Sequence, residues 1–317
     1  MLNFIDEIKK IRVTNEGVYV LDEDLKKQIN KKKLSASAIN SFYDSPGEWV
    51  LSTFIEPELR LEEPIYFARG HWFHSIMEEH FSRELTNIKN LKEDFTNVTK
   101  GTPKYTDVPK DGTKYIDLVR EQDNRDWIQA CLKGFMKLAK DTDFYDKKVA
   151  TLYNKGESKK AVEYFFMSRF DGVKLPVLGF VDCIFEDKGG LRIIDWKTGK
   201  YWKGDEGYEF QQTLYAMALE KQGLKVSSAA LVFPIGTDNG PVIEEINVNK
   251  PEVIEKVMKK MKAVDKELDE CKNNDYFFPF RRFRWNSWET FLTGNGNARK
   301  PQIDEGRFFA LAEIDVK

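Results

Sequence analysis

Cysteine, histidine and any surplus of one charge are all scarce in this chain of 317 residues. It contains three cysteines and three histidines, and its 50 basic and 52 acidic side chains leave a net charge of −2. The cysteines form no C-x-x-C pair and their number is odd, which argues against a disulfide-rich scaffold and indicates a reducing compartment. Because the protein is nearly neutral, only a local basic patch could attract nucleic acid or an anionic membrane.

Long apolar stretches are absent as well. No run approaches the ~18 residues of a membrane-spanning helix, and Asp6 and Glu7 lie where a signal peptide would be apolar. Charged residues make up 32% and aromatic residues 13%, so a well-solvated surface must cover a bulky core. We therefore expect an intracellular, cytoplasmic protein without membrane association, and we exclude the disordered and fibrous classes.

The residue pattern divides the chain into four predicted segments. Residues 1–33 are expected to form a short polar N-terminal appendage, and residues 34–160 a helical region with an exposed loop at 97–114. Residues 161–291 contain short strands followed by helices, and residues 292–317 form a C-terminal tail without an assignable role.

Periodicity and capping residues predict the main secondary structure. Helices are expected from Ser35, which is a good N-cap, over 68–85, 125–140 and 206–222, and from Pro251. Runs rich in Val, Ile and Phe predict strands over 161–170, 177–186 and 191–197, joined by turn signals at 171–172 and 187–190. These elements indicate an α/β protein with antiparallel hairpins.

An acidic pair and a lysine converge in the second predicted hairpin. If this hairpin turns at Lys188-Gly189, Asp182 lies directly opposite Asp195, with Cβ atoms ~4.5–5.5 Å apart. Like charges in that position destabilise a sheet, so stability alone does not explain the pair. Because side chains alternate along a strand, Lys197 projects from the same face as both acids.

A third carboxylate, Glu163, lies near this pair if the first hairpin turns at 171–172 and places it opposite Phe180. Carboxylates beside one lysine suit Mg²⁺ or Mn²⁺, which would polarise a phosphate while the lysine orients or deprotonates a water. The predicted chemistry is phosphodiester hydrolysis. The alternative is a solvated ladder of Asp and Lys, and the apolar runs around these residues favour the site.

The two strands carry motifs that resemble those of a nuclease family. Leu178-Gly-Phe-Val-Asp182 and Leu191-Arg-Ile-Ile-Asp195-Trp-Lys197-Thr-Gly199 are similar to the G-x-x-D and D-x-K-T motifs of the PD-(D/E)xK nuclease superfamily, in its RecB-like branch. The likeness is greatest to mitochondrial genome maintenance exonucleases and related phage exonucleases. It implies a restriction-endonuclease-like fold, with a central mixed sheet flanked by helices and a helical N-terminal insertion, and a catalytic core within residues 161–291.

The resemblance also implies roles for individual residues. The implied metal ligands are Asp182, Asp195 and the backbone carbonyl of Trp196. Lys197 would activate water. His74, in a segment that resembles a G-x-x-x-H-x-x-x-E motif, would hold the metal or the substrate phosphate. Zinc is the rival explanation of this histidine, but no cysteine or fourth ligand lies at a suitable spacing.

The same family implies contacts with DNA and bears on a second cofactor. Gln211 and Tyr215 resemble a Q-x-x-x-Y motif that faces DNA, although in isolation the tyrosine could simply pack on its helix neighbour. Some members bind an Fe–S cluster through four cysteines. This chain has Ser45-Pro46 and a cysteine-free segment at 278–288 in the corresponding places, so we expect no Fe–S cluster.

Arginines and aromatic residues alternate near the end of the catalytic segment. Arg281, Arg282 and Arg284 interleave with residues that include Trp285 and Trp288, a composition suited to gripping phosphates while stacking on unpaired bases. Aromatic packing on the core with arginines outside explains the pattern equally well.

Together these features predict a Mg²⁺- or Mn²⁺-dependent DNA exonuclease. Its expected partner is DNA, preferably single-stranded ends or flaps that arise in replication, recombination or repair. The alternatives are a structure- or sequence-specific endonuclease of the same fold and a catalytically silent DNA-binding or assembly module.

Overall fold

The protein is described from a computed structural model that covers residues 9–60, 65–83, 90–94, 121–141, 147–154, 156–281, 287–294 and 303–316. The predicted loop at 97–114 and the residues Arg282, Arg284 and Trp285 lie outside these ranges. Within them, residue contacts group the chain into two units. The first draws on Met1–Glu63, Arg169–Val177 and Met258–Lys317, and the second on Pro64–Ser168 and Leu178–Val257.

The strands are numbered in chain order. They are β1 (Ile11–Thr14), β2 (Gly17–Val20), β3 (Thr151–Asn154), β4 (Glu157–Lys160), β5 (Val162–Ser168), β6 (Val177–Asp187), β7 (Gly190–Trp196), β8 (Val226–Thr237), β9 (Gly240–Ile246), β10 (Phe277–Pro279) and β11 (Ala312–Asp315). The three strands predicted between residues 161 and 197 correspond to β5, β6 and β7.

The helices are numbered in the same way. They are α1 (Glu23–Lys31), α2 (Ala36–Asp44), α3 (Pro46–Val50), α4 (Glu56–Leu59), α5 (Ile65–Phe81), α6 (Gln122–Asp141), α7 (Glu206–Glu220), α8 (Pro251–Asn273), α9 (Ser287–Leu292) and α10 (Glu305–Leu311), with a π-helical turn at Leu51–Ile55. Ser35 caps α2 as predicted, because its hydroxyl accepts a hydrogen bond from the Ala38 N–H at 3.1 Å.

A five-stranded sheet with the order β5-β6-β7-β8-β9 forms the centre of the second unit. β7 pairs antiparallel with β6 and parallel with β8, and β8 pairs antiparallel with β9. Parallel neighbours need a crossover connection, which α7 supplies between β7 and β8. The predicted mixed sheet of an α/β fold is therefore confirmed.

Helices α5 and α6 cover this sheet with a continuous apolar layer. Phe81 at the end of α5 stacks on Trp196 of β7, with ring centroids 5.5 Å apart and planes 11° apart. Phe135 of α6 meets the same indole edge-on at 5.6 Å. Because these rings pack on Trp196, the end of β7 has a defined position. The neighbouring residues Asp195 and Lys197 are held in place with it.

The first unit contains a four-stranded sheet with the order β10-β2-β1-β11. β1 pairs parallel with β11 from Ile11 and Ala312 onwards, and β2 pairs antiparallel with β10. Ile11, Val13 and Val18 are buried. Residues 11–20, predicted as part of an appendage, thus share a sheet with residues near the end of the chain, a pairing that local patterns cannot reveal.

No helix within the described ranges combines the length and the apolar composition that crossing a lipid bilayer requires.

Candidate active site

The β6–β7 hairpin has the predicted register. Asp187 pairs with Gly190 and the ladder continues to Cys183 opposite Ile194, while Gly189 provides the left-handed turn with φ of +89°. Asp182 follows where this ladder ends, and its carboxylate accepts a hydrogen bond from the Trp196 N–H at 2.7 Å. The acid is therefore held against the end of β7 by a side-chain contact in place of a backbone pair.

Asp195 and Lys197 form a buried ion pair at the end of β7. Lys197 Nζ lies 2.6 Å from Asp195 Oδ2, and the two side chains are 18% and 4% exposed. Burial opposes the charged ammonium, but the attraction of Asp195 outweighs it, so the pKa of Lys197 is raised. Asp195 thereby favours the protonated form of the lysine, and the alternation of side chains along a strand explains why the two groups meet.

His74 reaches the same place from α5. Its Nε2 lies 3.0 Å from the carbonyl oxygen of Trp196, and its Nδ1 lies 3.5 Å from Asp182 and 4.0 Å from Glu163. An Nε2–H that donates to the carbonyl leaves the Nδ1 lone pair directed towards the acids. Burial lowers the pKa of His74 and favours the neutral imidazole that such a lone pair requires.

Glu163 enters the site through an unusual backbone conformation. Its φ is +47°, in the left-handed region that non-glycine residues rarely adopt, and it lies second in β5. Such a residue costs of order 1–3 kcal/mol and persists where the surroundings overdetermine it, often at functional sites. The sequence predicted Glu163 near Asp182, and the structure brings both within reach of His74.

Among the described residues, His74, Glu163 and Asp182 form a group of potential metal ligands. One donor atom from each lies within 4.8 Å of the other two. Burial raises the pKa of Glu163 to about 7, and the neighbouring Asp182 carboxylate contributes to the same rise. Burial, followed by repulsion from Asp195, raises the pKa of Asp182 well above its ordinary value. Both shifts disfavour the charged carboxylates, and a nearby positive charge would oppose them.

The donor set fits a divalent cation. Two carboxylates and a neutral imidazole nitrogen converge, and a cation between them would relieve the repulsion that raises both carboxyl pKa values. Of the predicted ligands, His74 and Asp182 belong to this group. Asp195 pairs with Lys197 and the Trp196 carbonyl accepts from His74, and their roles as metal ligands remain predictions. Glu163, predicted as a catalytic carboxylate beside this pair, also belongs to the group of potential ligands.

Gln211 and Tyr215 of α7 form a chain of hydrogen bonds that begins at Lys197. Lys197 Nζ donates to Gln211 Oε1 at 3.2 Å, and Gln211 Nε2 donates to the Tyr215 hydroxyl at 3.0 Å. Tyr215 is only 6% exposed and its ring meets Phe166 at 5.1 Å. The tyrosine thus holds Gln211, which in turn orients the lysine.

Packing requires a glycine at position 179, the first residue of the G-x-x-D motif that ends at Asp182. A Cβ at Gly179 would lie 2.7 Å from the Phe166 ring and 2.9 Å from the Tyr215 ring. Only glycine therefore lets both rings pack directly on β6 next to the acid.

One contact of the lysine was not predicted from the sequence. The ring of Tyr208, in the first turn of α7, lies 4.7 Å from Lys197 Nζ. Tyr208, Gln211 and Tyr215 recur at the i, i+3, i+7 spacing of one helical face, and this pattern could have identified it.

Arg281 and Trp288, from the segment predicted to bind DNA, make contacts within the protein. Arg281 pairs with Glu267 and donates to the Tyr43 carbonyl oxygen. Trp288 is fully buried, packs against Phe291 and Phe308, and so cannot stack on a base. The packing explanation therefore holds for Trp288, whereas the DNA-binding role of Arg281 remains a prediction. Arg282, Arg284 and Trp285 remain predictions.

Comparison with known proteins identifies the family. A family model described as the PD-(D/E)XK nuclease superfamily matches residues 33–286. A 69-residue stretch is 33% identical to an ATP-dependent helicase/nuclease subunit from Anoxybacillus flavithermus, covering 20% of this chain and 6% of that protein. The chain therefore spans only a small part of this curated relative. A solved structure of a provisionally assigned exonuclease from Eubacterium rectale shares 11% identity with a TM-score of 0.47, over 87% of this chain and 99% of that one.

Proposed function

Since the chain belongs to the PD-(D/E)XK nuclease superfamily, we propose that it is a Mg²⁺- or Mn²⁺-dependent deoxyribonuclease that removes nucleotides from single-stranded DNA ends or flaps. The observation that carries the proposal is the convergence of His74, Glu163 and Asp182 beside the Asp195–Lys197 pair. A ladder of surface charges would not bury several ionisable groups around one point.

Each residue of the site has a distinct part in the proposed hydrolysis. Glu163, Asp182 and His74 would hold the cation, which when bound supplies Lewis acidity at the phosphate and a lower pKa for a coordinated water. Lys197 is held protonated by Asp195, so its ammonium presents hydrogens to the scissile phosphate or to the attacking water. Gln211 limits the directions in which this ammonium can point.

The proposed preference for single-stranded ends rests on the motif resemblance to mitochondrial and phage exonucleases. The near-neutral charge of the whole chain bears on how DNA is captured. A protein without a general attraction for polyanions needs local contacts to capture DNA. We place its role in replication, recombination or repair, where single-stranded ends and flaps arise.

The test is digestion of DNA labelled at either end, in single-stranded, blunt duplex and flap form, with Mg²⁺ or Mn²⁺ and with EDTA as the control. Circular single-stranded DNA distinguishes the two nuclease modes. We expect metal-dependent release of short products from linear single strands and no cutting of the circle. Cutting of the circle would indicate an endonuclease, and binding without any cleavage would indicate a silent DNA-binding module.

A further inference from the structure

The loop from Thr198 to Gly204 leaves the active site directly, and it carries the most exposed large apolar side chain of the described residues. Trp202 is 72% exposed. A single exposed indole is common on protein surfaces and by itself indicates nothing. The position of this loop, its anchoring and its charges together indicate a binding role for the exposed indole.

The loop is anchored on both sides of Trp202. The Tyr201 N–H donates to the Gly236 carbonyl oxygen at 2.9 Å, and the Tyr201 ring meets Phe233 edge-on at 5.2 Å. At the other end, Asp205 caps α7 by accepting from the N–H groups of Gly207 and Tyr208 at 2.8 and 3.2 Å. Trp202 therefore projects from a short, anchored turn, so a ligand that stacks on it would lose little free energy to ordering the loop.

The charges of the loop suit a polyanion. Lys200 and Lys203 are exposed on either side of Trp202, and no acidic residue lies between Thr198 and Gly204. Among the described residues neither lysine forms an ion pair, whereas several other surface lysines do, Lys26, Lys148 and Lys174 among them. Two free ammonium groups flanking an exposed indole are the groups that bind successive phosphates and an unpaired base.

The loop is also close to the catalytic residues. Trp202 follows Lys197 by five positions, so their Cα atoms lie at most about 18 Å apart. A Cβ at Gly70, one turn before His74 on α5, would lie 3.5 Å from Thr198 Oγ1. The loop follows the carboxyl end of β7, which pairs parallel with β8, and ligands of open α/β sheets bind outside such strand ends.

We propose that the Thr198–Gly204 loop holds the single-stranded part of the substrate beside the active site. The indole of Trp202 stacks on an unpaired base, and Lys200 and Lys203 contact the phosphates on either side. This inference rests on the proposed function and deepens it, because a base inside a duplex does not offer its face to the indole. The loop thereby selects unpaired strands.

The experiment measures binding of a fluorescently labelled oligothymidylate across a salt series, in Ca²⁺, which should occupy the site without supporting cleavage. Trp202→Ala should weaken binding about 5- to 150-fold with little change in the salt slope, and Trp202→Phe should recover part of the loss. The double variant Lys200→Gln/Lys203→Gln should lower the slope by about 1.4, at ~0.7 for each phosphate contact on a single strand. Blunt duplex DNA should be affected less by Trp202→Ala than oligothymidylate is.

The matched control is Tyr153→Ala, which removes an aromatic ring that is 70% exposed on β3, outside the loop. It should leave affinity and slope unchanged. If the wild-type protein binds and cleaves single strands while Trp202→Ala binds as tightly, this inference is overturned and the proposed function stands. If the wild-type protein neither binds nor cleaves DNA, both are overturned.

Discussion

Replacing Glu163 by Gln should stabilise the metal-free protein at alkaline pH. The pKa of Glu163 is raised from an ordinary 4.5 to about 7, by burial and by the nearby Asp182 carboxylate. The folded state therefore binds this proton more tightly than the unfolded state. The contribution of Glu163 to stability is therefore greatest below about pH 4.5 and is lost as the pH rises towards 7, because the folded protein must then accommodate an unfavourable charge.

The magnitude follows from the same values. A pKa of about 7 against 4.5 corresponds to at most about 3.4 kcal/mol, at 1.36 kcal/mol for each pH unit. The Glu163 side chain is 34% exposed, so solvent screening reduces this limit, and we expect about 1–2 kcal/mol. Gln keeps the shape of the side chain and removes its charge, and it retains the unusual backbone conformation.

The assay is urea unfolding in EDTA at pH 5 and pH 8. The gain in unfolding free energy of Glu163→Gln over wild type should be small at pH 5 and reach about 1–2 kcal/mol at pH 8. Glu157→Gln, at an exposed position on β4, is the control and should show no such pH dependence. A variant that is less stable than wild type at both pH values would refute the assignment of Glu163 to a crowded acidic site.

Three further changes test the remaining parts of the site and fold. Mn²⁺ at 100 times its Kd should add about 2.7 kcal/mol to the unfolding free energy of the wild-type protein. The Asp182→Asn variant should lose most of the corresponding rise in Tm, and an undiminished rise would show that Asp182 is not a metal ligand. Lys197→Ala should lower the single-turnover cleavage rate by ~10²-fold or more while it retains the Mn²⁺-induced shift, and cleavage at the wild-type rate would reduce Lys197 to a structural role. Trp288→Ala should lower the unfolding free energy by about 3–5 kcal/mol, because the indole is fully buried and its N–H donates to the Ser52 hydroxyl at 3.1 Å. A decrease below about 1 kcal/mol would contradict the place of Trp288 in the core.

Predictions from the sequence were most successful where a few neighbouring residues decide the structure. The turn at Lys188-Gly189 sets the pairing of β6 with β7, because a hairpin loop of defined length permits one register. Ser35 begins α2 for a similarly local reason, since its hydroxyl satisfies an N–H that the first helical turn leaves unpaired. The D-x-K spacing places Asp195 and Lys197 on one side of β7 through the alternation of any strand.

The partners of these residues were decided by the tertiary structure. The hairpin spacing already brought Glu163 near Asp182, but His74 joins these acids from a helix remote in sequence. Such contacts depend on how α5 packs on the sheet, and the left-handed backbone of Glu163 is a strain that no local preference predicts.

The same contrast separates the aromatic residues. Sequence alone determined that the chain carries tryptophans, but not which of them are buried and which are exposed. Trp288 lies in a core and Trp202 projects into solvent. The difference arises because burial is decided by every element that packs around a side chain, whereas composition and periodicity report only its neighbours along the chain.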